Sequence, residues 1–228
     1  MSHSNPQVIE AKTLLKIVGG LAFLLPFILI IFSILLHDEE TFRPSISDYF
    51  YSNVSVAFIG SLCAVSMYFF AYVGYDTSTE EKQSAKFLGK LSDQNLATII
   101  AIFAAFVAIF PTTPTEPNDK DKVIAAVHFT SAALFLLLLA YMSISRFTKS
   151  SSTREQLVGT MKSKRNTVYR TMGWTMVASV IIMAIFFVAI PQETKDKFDY
   201  VIFIGETICL LAFGFAWFVK GELVMKDR

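Results

Sequence analysis

Apolar residues in this chain arrive in blocks, and the charges collect in the gaps between them. A bilayer core about 30 Å thick asks for about 20 apolar residues per helix. Six blocks meet or approach that length, at 17–36, 54–73, 96–113, 123–145, 171–190 and 200–219. The third is the weakest, because its continuous apolar run stops at Phe110 and Pro111, yet it is the best place to return the chain to the other side. The pattern predicts an all-α, polytopic membrane bundle of six transmembrane helices forming one domain over residues 1–228. No repeat of useful period interrupts it, and the short connections make chain neighbours antiparallel.

Composition sharpens this. Hydrophobic residues make up 54% and charged residues 17%, against about 25% charged in soluble domains, so a soluble fold could not cover this much apolar surface. The first block is too long for the core of a signal peptide. Acidic His37-Asp38-Glu39-Glu40 follows it where a cleavage site would need small residues, so it reads as a retained span. Cys63 and Cys209 both fall inside spans and are expected to pack as small hydrophobes.

The charges also orient the chain. With six spans, fifteen of the 20 Lys and Arg lie on the side of the two termini, among them Lys12, Lys82, Lys86, Arg146, Arg154, Lys164, Arg170 and Arg228. Arg43, Lys120, Lys122, Lys195 and Lys197 lie opposite. The positive side faces the cytoplasm, which places both termini there and the protein in a cell membrane. The net charge of +1 hides this asymmetry and gives no sign of nucleic acid. The basic run Met161 to Arg170 reads as a positive-inside loop that anionic lipid headgroups could also contact. Membrane lipids are the expected partners, and homo-oligomerisation stays open.

Helix contacts in lipid favour small residues. Such faces occur at Ala57, Gly60, Ser61 and Ala64; at Ala97, Ala101, Ala104 and Ala108; at Ala125, His128 and Ala132; and at Gly205, Cys209, Ala212 and Ala216. Gly19, Gly20 and Pro26 predict a close contact and a bend in the first span.

Two ionisable residues interrupt the spans. His128 stands about 9 Å into the fourth and Glu206 about 10 Å into the sixth, by a rise of 1.5 Å per residue. Both helices run inward, so the two share a depth in the outer half. A charge there is costly unless paired or hydrated, which makes such residues functional candidates. The outer loop Arg43-Pro44-Ser45-Ile46-Ser47-Asp48-Tyr49 enters from the same side, and Ser47 and Asp48 could cap the second helix or dip toward His128 and Glu206. Thr112 and Thr113 end the third helix at that level. Ser47, Asp48, His128 and Glu206 are therefore the candidate catalytic set, and Asp48, Thr113, His128, Ser131 and Glu206 the candidate ligand-binding set. The inner halves lack ionisable groups other than tyrosines, which fits an outward-opening pocket with a closed floor better than a through pathway. No nucleotide-binding loop, HExxH or paired haem histidines occur. His3 and His37 lie outside the spans, which argues against a three-histidine zinc site. Metal and cofactor use stay undecided. The sequon Asn53-Val54-Ser55 abuts the second span and is expected to be inaccessible.

Pro44-Ser45-Ile46-Ser47-Asp48, then His128 with Thr130, Ser131 and Ala132, then Glu206 with Phe213, Phe215 and Trp217, resemble in order and spacing the FRAG/DRAM-type six-helix membrane proteins. Tyr51, Ser52 and Asn53 stand where those proteins often carry a proline. The resemblance implies lipid-related work, since members are linked to lysosomal autophagy control and to remodelling of GPI anchors. The Ser/Asp/His set is also similar to seven-helix membrane metal-hydrolases, whose further ligand histidines are missing here. Two functions remain: a binding or regulatory protein holding a lipid or small polar ligand in an outer pocket, or a lipid hydrolase or acyltransferase with His128 as base and Ser47 as nucleophile.

Overall fold

The computed structural model describes residues 10–74, 87–150, 159–195 and 197–226. His3, Lys82, Lys86, Arg154 and Arg228, weighed above, lie outside them. Among the described residues the chain is all-helical. α1 spans Ala11–Leu35, α2 Ser55–Ala71, α3 Asp93–Ile109, α4 Asp119–Tyr141, α5 Met161–Ala189, α6 Gln192–Lys195 and α7 Val201–Lys220. A 3-10 turn over Ser47–Tyr51 precedes α2, and a π-helical turn over Met142–Arg146 ends α4.

Local chemistry sets the boundaries. Ser92 and Thr160 accept the amides of Asn95 and Ser163 and so cap α3 and α5. Asn118 and Asp121 form a reciprocal capping box on α4. α1 closes in a Schellman turn: His37 takes φ 51°, its amide reaches Ile34 O, and the Asp38 amide reaches Ser33 O at 3.0 Å. α5 starts ten residues before the apolar block, so the basic run Met161 to Arg170 is helix and not loop.

Four helices are long and apolar enough to cross a membrane: α1, α4 with its π turn, α5 and α7. α2 and α3 have 17 residues each, a rise of about 25 Å. α7 packs between α1 and α5, and α3 between α2 and α4; contacts of α1 with α2 and α4 with α5 close the circuit. Trp217 lies at its centre, 1% exposed, with Tyr68, Phe69, Phe147 and Phe213 ring centroids 5.3–5.5 Å away.

The small-residue faces of α3 and α7 are buried as expected. That of α2 is not. Gly60 and Ala64 are exposed, and α2 instead buries Phe58, Leu62, Val65 and Phe69, of which Leu62 and Val65 share a small cavity with Leu21, Leu25, Phe135 and Phe213, and Phe69 packs on Phe213 and Trp217. Ser66 Oγ also donates to Ala101 O at 2.8 Å. Of the cysteines, Cys209 is buried with Sγ 3.7 Å from Met176 O, whereas Cys63 turns outward and is exposed. Asn53 is likewise exposed.

The end of the molecule where α1 starts and α7 stops is not apolar. Asp93 and Arg146 are 1% and 3% exposed, and Arg146 Nη1 lies 3.5 Å from Asp93 Oδ1. The other terminal nitrogen of Arg146 donates to Leu88 O and Leu91 O, at 2.7 and 2.9 Å. Glu222 draws together Lys12 of α1 and Arg165 of α5, at 2.7 and 3.7 Å. The expected apolar floor is therefore edged by one buried ion pair, Asp93–Arg146, and by the more exposed pairs of Glu222.

Candidate functional site

The segment between α1 and α2 folds onto the first turns of α7. Backbone amides at a helix start lack intrahelical acceptors, and here Pro44 O accepts the Phe203 amide at 2.9 Å. Glu206 answers from one turn further along α7. Its Oε2 accepts the Ile46 amide at 2.6 Å and its Oε1 accepts the Ser47 hydroxyl at 3.2 Å. The loop and the helix thus exchange hydrogen bonds in both directions, and the acceptor at the centre is a carboxylate, for which such bonds are short and strong.

The loop is braced on its other sides as well. Tyr49 is fully buried, its hydroxyl donating to Thr41 O at 2.7 Å and its ring facing Phe203. Asp38 gathers Arg43 at 2.9 Å and the Asn53 amide at 2.7 Å. Burial pushes the Asp38 carboxyl upward, but the Asn53 amide, Arg43 and the Glu40 amide outweigh it and hold it below the usual range. Tyr51 OH donates to Thr112 O at 2.8 Å, tying the loop to the end of α3.

Asp48 does not cap α2. It sits in its own 3-10 turn, where its amide donates to Ser45 Oγ at 3.0 Å and its carboxylate meets the Ser45 and Thr112 hydroxyls. Burial drives its carboxyl above the usual range, against the lowering effect of those hydroxyls and of Arg43. Ser47 likewise belongs to the turn and not to α2, which starts at Ser55 without a side-chain cap.

His128 is fully buried on α4, with Nδ1 2.6 Å from Phe110 O. A carbonyl partner requires the proton on Nδ1, so Nε2 is an acceptor, and it is buried without a hydrogen-bond partner among the described residues. No hydrogen bond joins His128 to Ser47, Asp48 or Glu206 among the described residues. The link runs in series: Glu206 to Ser47 of the 3-10 turn, Tyr51 of that turn to Thr112 O, and Phe110, two residues before Thr112, to His128. Ser131 is buried one turn beyond His128. Thr113 is exposed, and its neighbour Thr112 takes part instead.

Sequence reading also missed Ser45 and the Ile46 amide. The first had a signal, a serine three residues before the Asp48 amide that it accepts. A backbone donor carries none. The arrangement can clamp a loop shut over the ends of α3, α4 and α7. It does not place an imidazole on the Ser47 hydroxyl, whose partner is Glu206. No set of three His, Cys, Asp or Glu side chains able to hold a metal occurs among the described residues.

A family model described as a family of unknown function matches residues 24–221, a stretch that contains every residue of this site. No curated protein and no solved structure matches the chain.

Proposed function

Because the chain belongs to the family of unknown function DUF7103, its site must speak for its activity, and we propose a multi-pass cell-membrane protein that binds a lipid or small polar ligand at its outer end, under a loop latched by Glu206. The observation that carries this reading is the double hydrogen bond from the Ile46 amide and the Ser47 hydroxyl to one carboxylate. A carboxylate held in a membrane without a cationic partner is costly, and a loop that can open gives that cost a use. Asp48, His128 with its buried acceptor nitrogen, and Ser131 would complete the ligand contacts together with Glu206, with Thr112 in place of Thr113. The Pro44 to Asp48 element on which the FRAG/DRAM-type resemblance rests is the element that Glu206 holds.

In this proposal α2 and α3 also cross, which makes six spans with both termini in the cytoplasm. Their shortfall of about 5 Å against a 30 Å core is small enough for local thinning of the bilayer. Support comes from the lysine and arginine asymmetry and from the circuit of helices, in which chain neighbours pack side by side. In a Cys63→Ser background, Lys120→Cys should react with an impermeant thiol reagent in intact cells and Lys164→Cys should not. Labelling at 164 would overturn the orientation.

The latch is tested through Glu206→Ala. Hydrogen bonds to a charged group contribute about 1.5–3 kcal/mol each, so amide exchange over residues 44–51 should accelerate at least about tenfold. Lipid extracted from the purified parent and quantified by mass spectrometry should be depleted from the variant. Equal retention with unchanged exchange would sink the reading. A hydrolase or acyltransferase working through Ser47 draws less support, since the proposed base His128 is engaged by Phe110 O.

A further inference from the structure

α5 is the least buried of the four helices able to cross a membrane. One outward face of it carries Thr167, Arg170, Thr171, Trp174, Thr175 and Ala178 around an open groove. Beyond Ala178 the same face continues as Ile181, Ile182 and Ile185, each more than half exposed. Polarity therefore changes along the face from cationic and hydroxylic, through an exposed tryptophan and a small notch, to branched aliphatic.

Depth gives the pattern meaning. From Arg170 to the last residue of α5, Ala189, the rise is about 29 Å, close to the thickness of a hydrocarbon core. Arg170 thus stands at one boundary when Ala189 stands at the other, and Trp174 lies one turn inside it, where interfacial tryptophans gather. The cations of this helix that face the protein are engaged there: Lys162 donates to Phe147 O at 2.8 Å, and Arg165 pairs with Glu222. Arg170 is exposed and has no hydrogen bond or ion pair among the described residues.

We propose that this face binds one anionic phospholipid in the leaflet at the Met161 end of α5. The phosphate is received by the Arg170 guanidinium and the Thr171 hydroxyl, a donor fork and a neutral donor suited to phosphate oxygens. The Trp174 indole N–H faces the headgroup zone. One acyl chain passes the notch at Ala178 and lies along Ile181 and Ile185. A second copy of the chain is the weaker occupant. A symmetric contact between parallel helices centred here would set two Arg170 side chains at one depth, where like charges repel. The proposal needs α5 to cross the membrane and is independent of the loop held by Glu206.

The full chain in mild detergent, titrated with dioleoyl phosphatidylglycerol or dioleoyl phosphatidylcholine and followed by native mass spectrometry, provides the test. One phosphatidylglycerol adduct should form in preference to phosphatidylcholine. Arg170→Gln should weaken it about fivefold, the equivalent of roughly 1 kcal/mol per interfacial cation, with unfolding temperature unchanged, and Arg170→Lys should retain most of the binding. Equal binding of the two lipids, an adduct indifferent to Arg170→Gln, or a dimer dispersed by Trp174→Ala would each overturn the proposal.

Discussion

Arg146→Ala is expected to lower stability by about 3–5 kcal/mol, the cost typical of removing one partner from a buried ion pair. The guanidinium is 3% exposed, donates to the carbonyls of Leu88 and Leu91 and stands 3.5 Å from Asp93 Oδ1 as its ion-pair partner. Alanine takes one cationic partner from a carboxylate that is itself 1% exposed. It also removes the side-chain donor from the Leu88 and Leu91 carbonyls, and Arg146 joins the end of α4 to the segment that leads into α3. The measurement is the thermal unfolding midpoint in detergent, followed by tryptophan fluorescence. Replacing the pair together, as Arg146→Met with Asp93→Leu, should recover part of the loss, because two apolar groups leave no buried charge behind. Recovery should stay incomplete, since the bonds that Arg146 donates to Leu88 O and Leu91 O are not replaced. If the single variant melted with the parent, the pair would contribute nothing.

The second large effect is steric. α1 and α7 meet backbone to backbone at Gly19 and Gly214. A Cβ on Gly214 would stand 2.7 Å from both Gly19 O and Phe23 Cβ, and one on Gly19 would stand 3.0 Å from Gly214 O. Neither neighbour is the free end of a flexible side chain, so the helices must separate. Gly214→Ala should therefore destabilise by about 1–3 kcal/mol, as overpacking does, even though alanine favours helix over glycine by about 1 kcal/mol. Gly20 provides the control on the same helix, because nothing lies within 4 Å of its added Cβ. Gly20→Ala should be neutral or raise the unfolding midpoint. The same downward shift in both variants would refute the close crossing as its cause.

These two features were unequally legible in the sequence. Gly19 and the Gly205 to Ala216 face announce close packing through residue type alone, and both are buried, whereas Gly20, read the same way, has nothing within 4 Å of an added Cβ. The face of α2 was misread by the same rule, because small residues mark where backbones can approach and not which helix supplies them. The Asp93–Arg146 pair was hidden for another reason. One reads as an ordinary acid in the first turn of a helix, the other as a cation at the end of an apolar block, and only the fold brings them together. At the candidate site, Glu206 and the Pro44 to Asp48 loop could be matched by depth and side. The detail that joins them could not, because Ile46 contributes a backbone amide and Thr112 is distinguished from Thr113 only by which way the chain turns after Ile109. His128 shares their end of the molecule, but its partner is the Phe110 carbonyl, made available where α3 stops.

The Gly19–Gly214 crossing also says something about how the molecule is made. Its two halves come from the first and last long helices, nearly the whole chain apart. At about 5–20 residues per second, α1 waits roughly 10–40 s for its partner to be synthesised. During that interval the glycine notch of α1 has no helix to receive, and the first helix depends on lipid, on α2 or on the insertion machinery for cover. α7 is then the piece that closes the circuit against α1. A ribosome that stops before Val201 releases a chain that lacks both the wall against α1 and the carboxylate that holds the loop between α1 and α2, so one truncation opens two distant seams.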